Sequence, residues 1–156
     1  MAEPVVHTRV PFEFFVELPF AEAAPLFGAW AEKAWEPGWE PRFLFPDPPA
    51  DVEGSVFTVS HGDSEKAVWV NTVFDLVAGH VQYVYFLSAI VTRIDLRLTS
   101  AGAERTGVAV VYERTALDPS ANAAVTELAN GDRGKAPAWR ETIDASVRMR
   151  KGPAAG

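Results

Sequence analysis

Apolar and polar side chains alternate most regularly in the middle of the chain. Ile90, Thr92, Ile94, Leu96 and Leu98 occupy every second position, and charged or polar residues fill most of the positions between them. A period of two is typical of a β-strand that buries one face. Comparable segments joined by short turns predict antiparallel strands over 66–75, 81–87, 90–99 and 106–115.

The flanking regions show patterns that predict the remaining elements. Alternation indicates further strands over 8–18, 42–45 and 54–61, with a turn at 62–64. Residues 20–34 change to helical spacing but contain Pro25 and Gly28, which predicts two short helices with a bend.

The C-terminal segment has a helical pattern. Asp118-Pro119 is typical of a helix N-cap followed by proline at the first helical position. Residues 130–134 (Asn-Gly-Asp-Arg-Gly) interrupt the pattern, which then resumes to 150. We expect a single domain over 1–156, with an ordered core at 8–151 and a frayed tail at 152–156.

Turn geometry predicts which strand residues face the core. A two-residue turn at Ser88-Ala89 sets the register of the hairpin around it. The resulting pairs are Tyr85 with Thr92 and Tyr83 with Ile94.

The loop before the strand 106–115 allows two registers for that strand. Taking 100–105 as a symmetric loop places Val111 opposite Ile94 and Glu113 opposite Thr92, so that both face inward. A shift of one residue turns the other face of this strand inward instead. That alternative set is Val110, Tyr112 and Arg114.

Composition and charge narrow the function classes. A chain of 156 residues with 48% hydrophobic and 22% charged residues has the composition of one globular domain. The absence of cysteine excludes disulfides, thiol catalysis and Cys-ligated metals. A net charge of −7 argues against a nucleic-acid partner. No signal peptide pattern and no run of ~18 apolar residues is present, so we expect a cytoplasmic protein without an integral membrane segment.

The element order resembles that of the START-like helix-grip superfamily, also called SRPBCC, which includes polyketide cyclase-like and birch-pollen-allergen-like proteins. The segments that carry the resemblance are 37–41 (PGWEP), 54–57 (GSVF), 68–70 (VWV), 91–94 (VTRI) and 112–117 (YERTAL). The resemblance covers about residues 8 to 151. In that family the final helix is continuous, whereas here it is interrupted at 130–134.

The resemblance implies an α+β helix-grip fold. In it a curved seven-stranded antiparallel sheet carries two short helices after strand 1, and a long, here broken, C-terminal helix crosses its concave face. It also implies binding of a small hydrophobic or aromatic ligand, lipid-, polyketide- or sterol-like, between sheet and helix. One alternative is a cyclase- or dehydratase-type enzyme that uses a cavity carboxylate and tyrosines without metal. Another is a protein-interaction or co-chaperone module.

The sequence gives little support for a metal site or for a Ser-His-Asp catalytic triad. His7, His61 and His80 show no metal-ligand spacing, so no metal and no cofactor is expected. Ser60, His61 and Asp63 are the residue types of a catalytic triad, but close neighbours in one hairpin rarely converge in space.

The aromatic residues and one carboxylate form the candidate site. Tryptophans and tyrosines with a few polar groups suit an apolar pocket. The predicted ligand-binding set is Trp39, Phe57, Val70, Tyr83, Tyr85, Thr92, Ile94, Val111, Glu113, Trp139 and Ile143.

Glu113 is the candidate acid/base. If it faces inward, burial raises the pKa of its carboxyl, which suits it to hydrogen-bond a ligand hydroxyl or to transfer a proton. The alternative is a surface Glu113 paired with Arg93 or Arg114.

We expect ligand access between the segment 35–41, the hairpin loops and the interruption at 130–134. Access to a covered cavity needs irregular backbone, and we expect Asp132, Arg133 and Lys135 to keep this segment solvated.

Overall fold

The computed structural model describes residues 3–61 and 65–151. The predicted tail at 152–156, the turn at 62–64 and its Asp63 lie outside the described residues. Within them, the strands are β1 His7–Val16, β2 Arg42–Phe45, β3 Val56–His61, β4 Glu65–Asp75, β5 His80–Leu87, β6 Ile90–Ser100 and β7 Thr106–Ala116. The α-helices are α1 Phe20–Ala23, α2 Asn122–Asp132 and α3 Lys135–Lys151.

The strands form one antiparallel sheet in the order β1-β7-β6-β5-β4-β3-β2. Short turns make β4, β5, β6 and β7 antiparallel neighbours in sequence order, whereas the helical segment after β1 carries the chain to β2 at the opposite edge and leaves β1 paired with β7. α3 packs against β1, and α2 packs against β1 and β7. The predicted α+β helix-grip architecture is therefore confirmed. No helix in the described part of the chain has the length and apolar character needed to cross a bilayer.

The bend after β1 depends on Gly28. α1 continues as a 3₁₀ turn at Ala24–Leu26, and a 3₁₀ helix at Ala31–Ala34 follows. Gly28 lies between them with φ of 132°, a region that L-residues with a side chain rarely adopt. A Cβ built on Gly28 would lie 2.3 Å from Oδ2 of Asp51. The chain can thus fold tightly onto Asp51 only because residue 28 is glycine.

The β5–β6 hairpin has the predicted register. Ser88 and Ala89 form the two-residue turn with φ of 51° and 58°, the left-handed conformation of a type I′ turn. The pairs Tyr85–Thr92 and Tyr83–Ile94 are confirmed.

The register predicted for β7 is wrong by one residue. Ser100 pairs with Thr106, so the loop has five residues, not six, and the Ala101 N–H donates to the Arg105 carbonyl at 2.9 Å. The one-residue shift places Tyr112 opposite Ile94. β7 is apolar on both faces between 108 and 111, so its own pattern did not select a face.

The predicted interruption of the C-terminal helix is confirmed. The Asp118 side chain accepts a hydrogen bond from the Ser120 N–H at 2.9 Å and caps the 3₁₀ turn Pro119–Ala121 that leads into α2. α2 ends at Asp132, and Arg133-Gly134 separates it from α3. The break brings a new helix start, at Lys135, against the sheet.

Candidate ligand-binding cavity

A cavity of about 260 Å³ lies between the inner face of the sheet and α3. β4 to β7 supply one wall, α3 the opposite wall, and the segment 32–39 closes a side. The lining residues are Glu32, Glu36, Trp39, Trp69, Tyr83, Ile94, Leu96, Tyr112, Lys135 and Trp139.

Aromatic rings make up half of this lining. Trp39 and Trp69 meet edge to face with ring centroids 5.4 Å apart. On the other side, Trp139 meets Tyr112 edge to face at 6.5 Å. Edge-to-face contacts fix ring orientation more tightly than simple apolar burial does. The cavity therefore has apolar walls of defined shape.

Two hydrogen bonds hold the segment 32–39, which closes one side of the cavity. The indole N–H of Trp35 donates to the Leu26 carbonyl at 2.7 Å. The indole N–H of Trp39 donates to the Ala29 carbonyl, also at 2.7 Å. Since both acceptors flank Gly28, the tryptophans tie the bend after α1 to the cavity wall.

Glu32 places a carboxyl in the cavity. The Gly28 N–H donates to Oε2 of Glu32 at 3.2 Å. Burial raises the pKa of Glu32 to about 8; the Gly28 hydrogen bond opposes this rise, and the negative charges of Asp51 and Glu36 add to it. Near neutral pH this carboxyl is thus mostly protonated.

Two neighbouring carboxyls share this environment. Burial raises the pKa of Asp51, against the opposing hydrogen bonds that its oxygens accept from the Trp30 N–H at 2.7 Å and the Ala31 N–H at 3.0 Å. Burial also raises the pKa of Glu36, opposed by the charge of Lys135. One side of the cavity therefore carries Glu32 and Glu36 in its lining, with Asp51 near enough behind them for its charge to act on Glu32.

Tyr83 brings a hydroxyl to the same side. The residue is 4% exposed, and within the described residues its hydroxyl meets no partner with hydrogen-bond geometry. Burial raises its pKa well above the usual range, the charges of Glu32 and Asp51 raise it further, and the backbone of Ala29 lowers it. The hydroxyl is therefore a neutral group close to two carboxyls. The indole N–H of Trp69 is likewise buried without a partner among the described residues.

A buried ion pair lies beside the cavity. Arg114 donates to Asp132 from Nε at 2.7 Å and from a terminal nitrogen at 2.8 Å. Its other terminal nitrogen donates to the Tyr85 hydroxyl at 2.8 Å and to Oγ1 of Thr92 at 3.0 Å. Lys135 Nζ lies 2.9 Å from the same carboxylate. Asp132 is 1% exposed, and its charge is neutralised in the interior by these cations. The expectation that Asp132 keeps the interruption at 130–134 solvated is therefore wrong.

The structure brings four of the predicted site residues together in the cavity lining: Trp39, Tyr83, Ile94 and Trp139. Tyr85 and Thr92 face a second pocket of about 400 Å³ on the other side of Arg114. Phe57 and Ile143 are completely buried in the core. Val70, which the predicted ligand-binding set includes, alternates with the buried Trp69 and Asn71 and therefore points to the outer face, away from the cavity lining.

Glu113 and Val111 also lie on the outer face, which corrects their predicted inward orientation. The physical reason is the one-residue shift in β7, since side chains alternate between faces. The Glu113 carboxylate pairs with Arg93 and lies 3.8 Å from Arg9. This is the surface pairing that the sequence left open as the alternative.

The cavity includes residues that the predicted set omits: Glu32, Glu36, Trp69, Leu96, Tyr112 and Lys135. Two signals pointed to some of them. Glu32 and Glu36 are spaced by four residues, a spacing that places both on one face only if the helical pattern of 20–34 is extended to residue 36. The shifted β7 register places Tyr112 inside. No group of three or more His, Asp or Glu side chains is arranged to hold a metal ion in the residues that the structure describes.

No protein-family model and no curated protein sequence matches the chain. Solved structures do match it. Norcoclaurine synthase from Thalictrum flavum, in complex with dopamine and hydroxybenzaldehyde, aligns with a TM-score of 0.66 at 9% identity over 96% of this chain and 90% of that chain. A hypothetical protein from Helicobacter pylori aligns with 0.68 at 12% identity, over 90% and 88% of the two chains.

The aromatase/cyclase ZhuI from Streptomyces sp. R1128 aligns with a TM-score of 0.58 at 14% identity, over 97% of this chain and 99% of that chain. Identities this low show a shared fold and nothing finer. The resemblance to the START-like helix-grip proteins is thus confirmed at the level of the fold.

Proposed function

We propose that this helix-grip protein binds a small aromatic molecule in the cavity between the sheet and α3. The observation that carries the proposal is the ring of five aromatic side chains around about 260 Å³. An apolar cavity of ~150 Å³ holds benzene, and drug-sized ligands occupy ~300–1,000 Å³. The volume therefore suits one substituted aromatic ring better than the lipid- or sterol-sized ligands of the wider superfamily.

The fold comparison supports the same class of ligand. The norcoclaurine synthase structure holds dopamine and hydroxybenzaldehyde, each with a single aromatic ring. At 9% identity this is support from a shared fold, and the lining residues of this chain carry the proposal.

A ligand titration with a cavity-filling variant tests the proposal. 4-Ethylphenol, followed by tryptophan fluorescence and calorimetry, should bind the wild-type protein at one site. Leu96→Trp, which fills the cavity, should abolish binding, whereas Arg97→Trp on the outer face of the same strand should not. Circular dichroism confirms that both variants fold. Equal binding by both variants would place the ligand elsewhere and reject the proposal.

Native mass spectrometry adds a search for the natural ligand. The protein purified from cells is sprayed intact, and a mass that co-purifies with wild type but not with Leu96→Trp identifies a cavity ligand. A mass retained by Leu96→Trp is bound outside the cavity.

A second candidate function is acid–base catalysis of the cyclase or dehydratase type. It is favoured by Glu32, whose pKa of about 8 suits a general acid near neutral pH, beside the neutral Tyr83 hydroxyl. Glu32 takes the role that the sequence suggested for Glu113. The test is deuterium exchange at the α-carbon of 4-hydroxyphenylacetone in D₂O. Faster exchange with wild type than with Glu32→Gln supports catalysis, and exchange at the buffer rate rejects it.

A further inference from the structure

The side of the cavity that carries Glu32 and Glu36 has more acidic side chains than cationic ones. Within the described residues, neither Glu32 nor Asp51 forms an ion pair; each accepts backbone N–H groups only. Lys135 is the cation in the lining, and its Nζ is held by Asp132 at 2.9 Å. A carboxyl buried without a cation is unfavourable in its charged form.

The Tyr83 hydroxyl is a second, independent indication of a missing partner. It is buried and lines the cavity; the Ala29 backbone lies near enough to lower its pKa, but the hydroxyl makes no hydrogen bond of normal geometry, and its O–H has no acceptor, in the described part of the chain. Tyr83 and Glu32 line the same cavity, and the charges of Glu32 and Asp51 raise the pKa of this hydroxyl. A buried polar group without a partner costs about 1–3 kcal/mol, so such groups in native proteins commonly face a ligand or a bridging water.

The aromatic walls are suited to a positive charge. Lys135 already places its Nζ 4.0 Å above the ring of Tyr112, so one ring of this cavity carries a cation. Trp39, Trp69 and Trp139 line the same space. Tryptophan faces attract cations more strongly than the other aromatic side chains do.

We infer that the ligand is an aromatic amine, whose ammonium group lies between the Glu32 carboxylate, the Tyr83 hydroxyl oxygen and the tryptophan faces, while its ring fills the apolar part of the cavity. This inference rests on the proposed binding function and adds the ligand's charge to it. Binding releases the Glu32 proton to solvent, and the ammonium then donates to both oxygens, which supplies the ionised Glu32 with a cation and Tyr83 with a hydrogen-bond partner.

Three probes that differ in one group test the inference. Tyramine and 4-ethylphenol share the phenol ring and the two-carbon chain, and only tyramine carries an ammonium group. 4-Hydroxyacetophenone has the same phenol ring and carries a carbonyl oxygen in place of the ammonium. By calorimetry at pH 7, tyramine should bind at least tenfold more tightly than 4-ethylphenol. Glu32→Gln should remove most of this preference, measured as the ratio of the two affinities within the variant. The control Glu22→Gln, on the exposed face of α1, should change neither.

The pH dependence of the wild-type protein is a test that does not depend on a variant folding. Between pH 6 and 8.5 tyramine affinity should rise as Glu32 ionises, while 4-ethylphenol affinity stays flat. The other titratable or charged groups around Glu32 are Glu36, Asp51, Tyr83, Tyr112 and Lys135. A rise for tyramine alone supports an ammonium facing Glu32.

Three results would overturn the inference. Equal affinities for tyramine and 4-ethylphenol reject the charge but leave the proposed binding function standing. Tightest binding of 4-hydroxyacetophenone shows that the buried donors recognise an acceptor oxygen instead. No binding of any probe means that the proposed function fails, and the inference falls with it.

Discussion

Arg114 on β7 and Asp132 at the end of α2 form an ion pair that is joined by two hydrogen bonds of 2.7 and 2.8 Å in the protein interior. The pair fixes the point where the chain leaves α2 and starts α3 three residues later. Because Lys135 and Trp139 of α3 line the cavity, the ion pair positions one of its walls.

Asp132→Ala should destabilise the protein by about 3–5 kcal/mol, because it leaves the buried Arg114 charge without its partner. The measurement is urea unfolding at pH 7, with Asp47→Ala in an exposed loop as the control. The double variant Arg114→Met, Asp132→Leu should recover most of the loss, since it removes both charges. A loss no larger than that of Asp47→Ala would contradict the structural role of the pair.

The same pair should make the protein sensitive to acid. Burial alone would raise the pKa of Asp132, but the hydrogen bonds from Arg114 and Lys135 hold it below the usual 3.8. The unfolded chain therefore binds a proton at higher pH than the folded one. The stability from this group is present above about pH 4 and is lost as the pH falls through the folded-state pKa. Asp132→Asn should flatten the unfolding free energy against pH in that acidic range.

Glu32 should make the free energy of unfolding depend on pH in the opposite direction. Its pKa is 4.5 in the unfolded chain and about 8 in the fold, so between these values the folded protein binds more protons. Stability should therefore fall as the pH rises from 4.5 to 8, by at most about 1.4 kcal/mol per pH unit. Glu32→Gln should reduce this slope and leave only what Glu36 and Asp51, whose pKa values are also raised, contribute to it, and Glu22→Gln should not change it. An unchanged slope in Glu32→Gln would show that Glu32 ionises normally.

Gly28→Ala should be more destabilising than Gly102→Ala. Both glycines have large positive φ, 132° and 141°, so the cost of the backbone conformation is similar, about 1–3 kcal/mol. Only at Gly28 does the added Cβ also meet a side chain, at 2.3 Å from Asp51, whereas nothing lies within 4 Å at Gly102. Thermal unfolding of the two variants measures the difference. Equal shifts in midpoint would mean that Asp51 moves away freely.

The sequence predicted the fold far better than the cavity lining. Strong alternation in β6 and the two-residue turn before it leave one register, so Tyr83 and Ile94 were placed correctly. In β7, Val110 and Val111 are equally apolar, so one loop residue decided whether Tyr112 or Glu113 faces inward. The role of Glu32 depends on a bend around Gly28 and on the charge of Asp51, nineteen positions from Glu32, and no local pattern reports that proximity.

Trp139→Ala should weaken both stability and ligand binding. The ring is half-buried and packs edge to face on Phe12 and Phe14 of β1, so a loss of about 2–4 kcal/mol is expected on urea unfolding. Trp30→Ala is the control, because Trp30 is 42% exposed and lies outside the cavity. 4-Ethylphenol affinity should drop only in Trp139→Ala. A variant that loses stability but binds normally would remove Trp139 from the site.

Indole ¹H–¹⁵N NMR during a titration with 4-ethylphenol tests the central claim most directly, because three of the five tryptophans line the cavity and Trp30 is exposed outside it. The indole signals are assigned by single Trp→Phe variants. A ligand in the cavity predicts saturable shifts for the three lining residues, Trp39, Trp69 and Trp139, and none for the exposed Trp30. Shifts confined to Trp30, or no saturable shift in the three lining tryptophans, would contradict ligand binding between the sheet and α3.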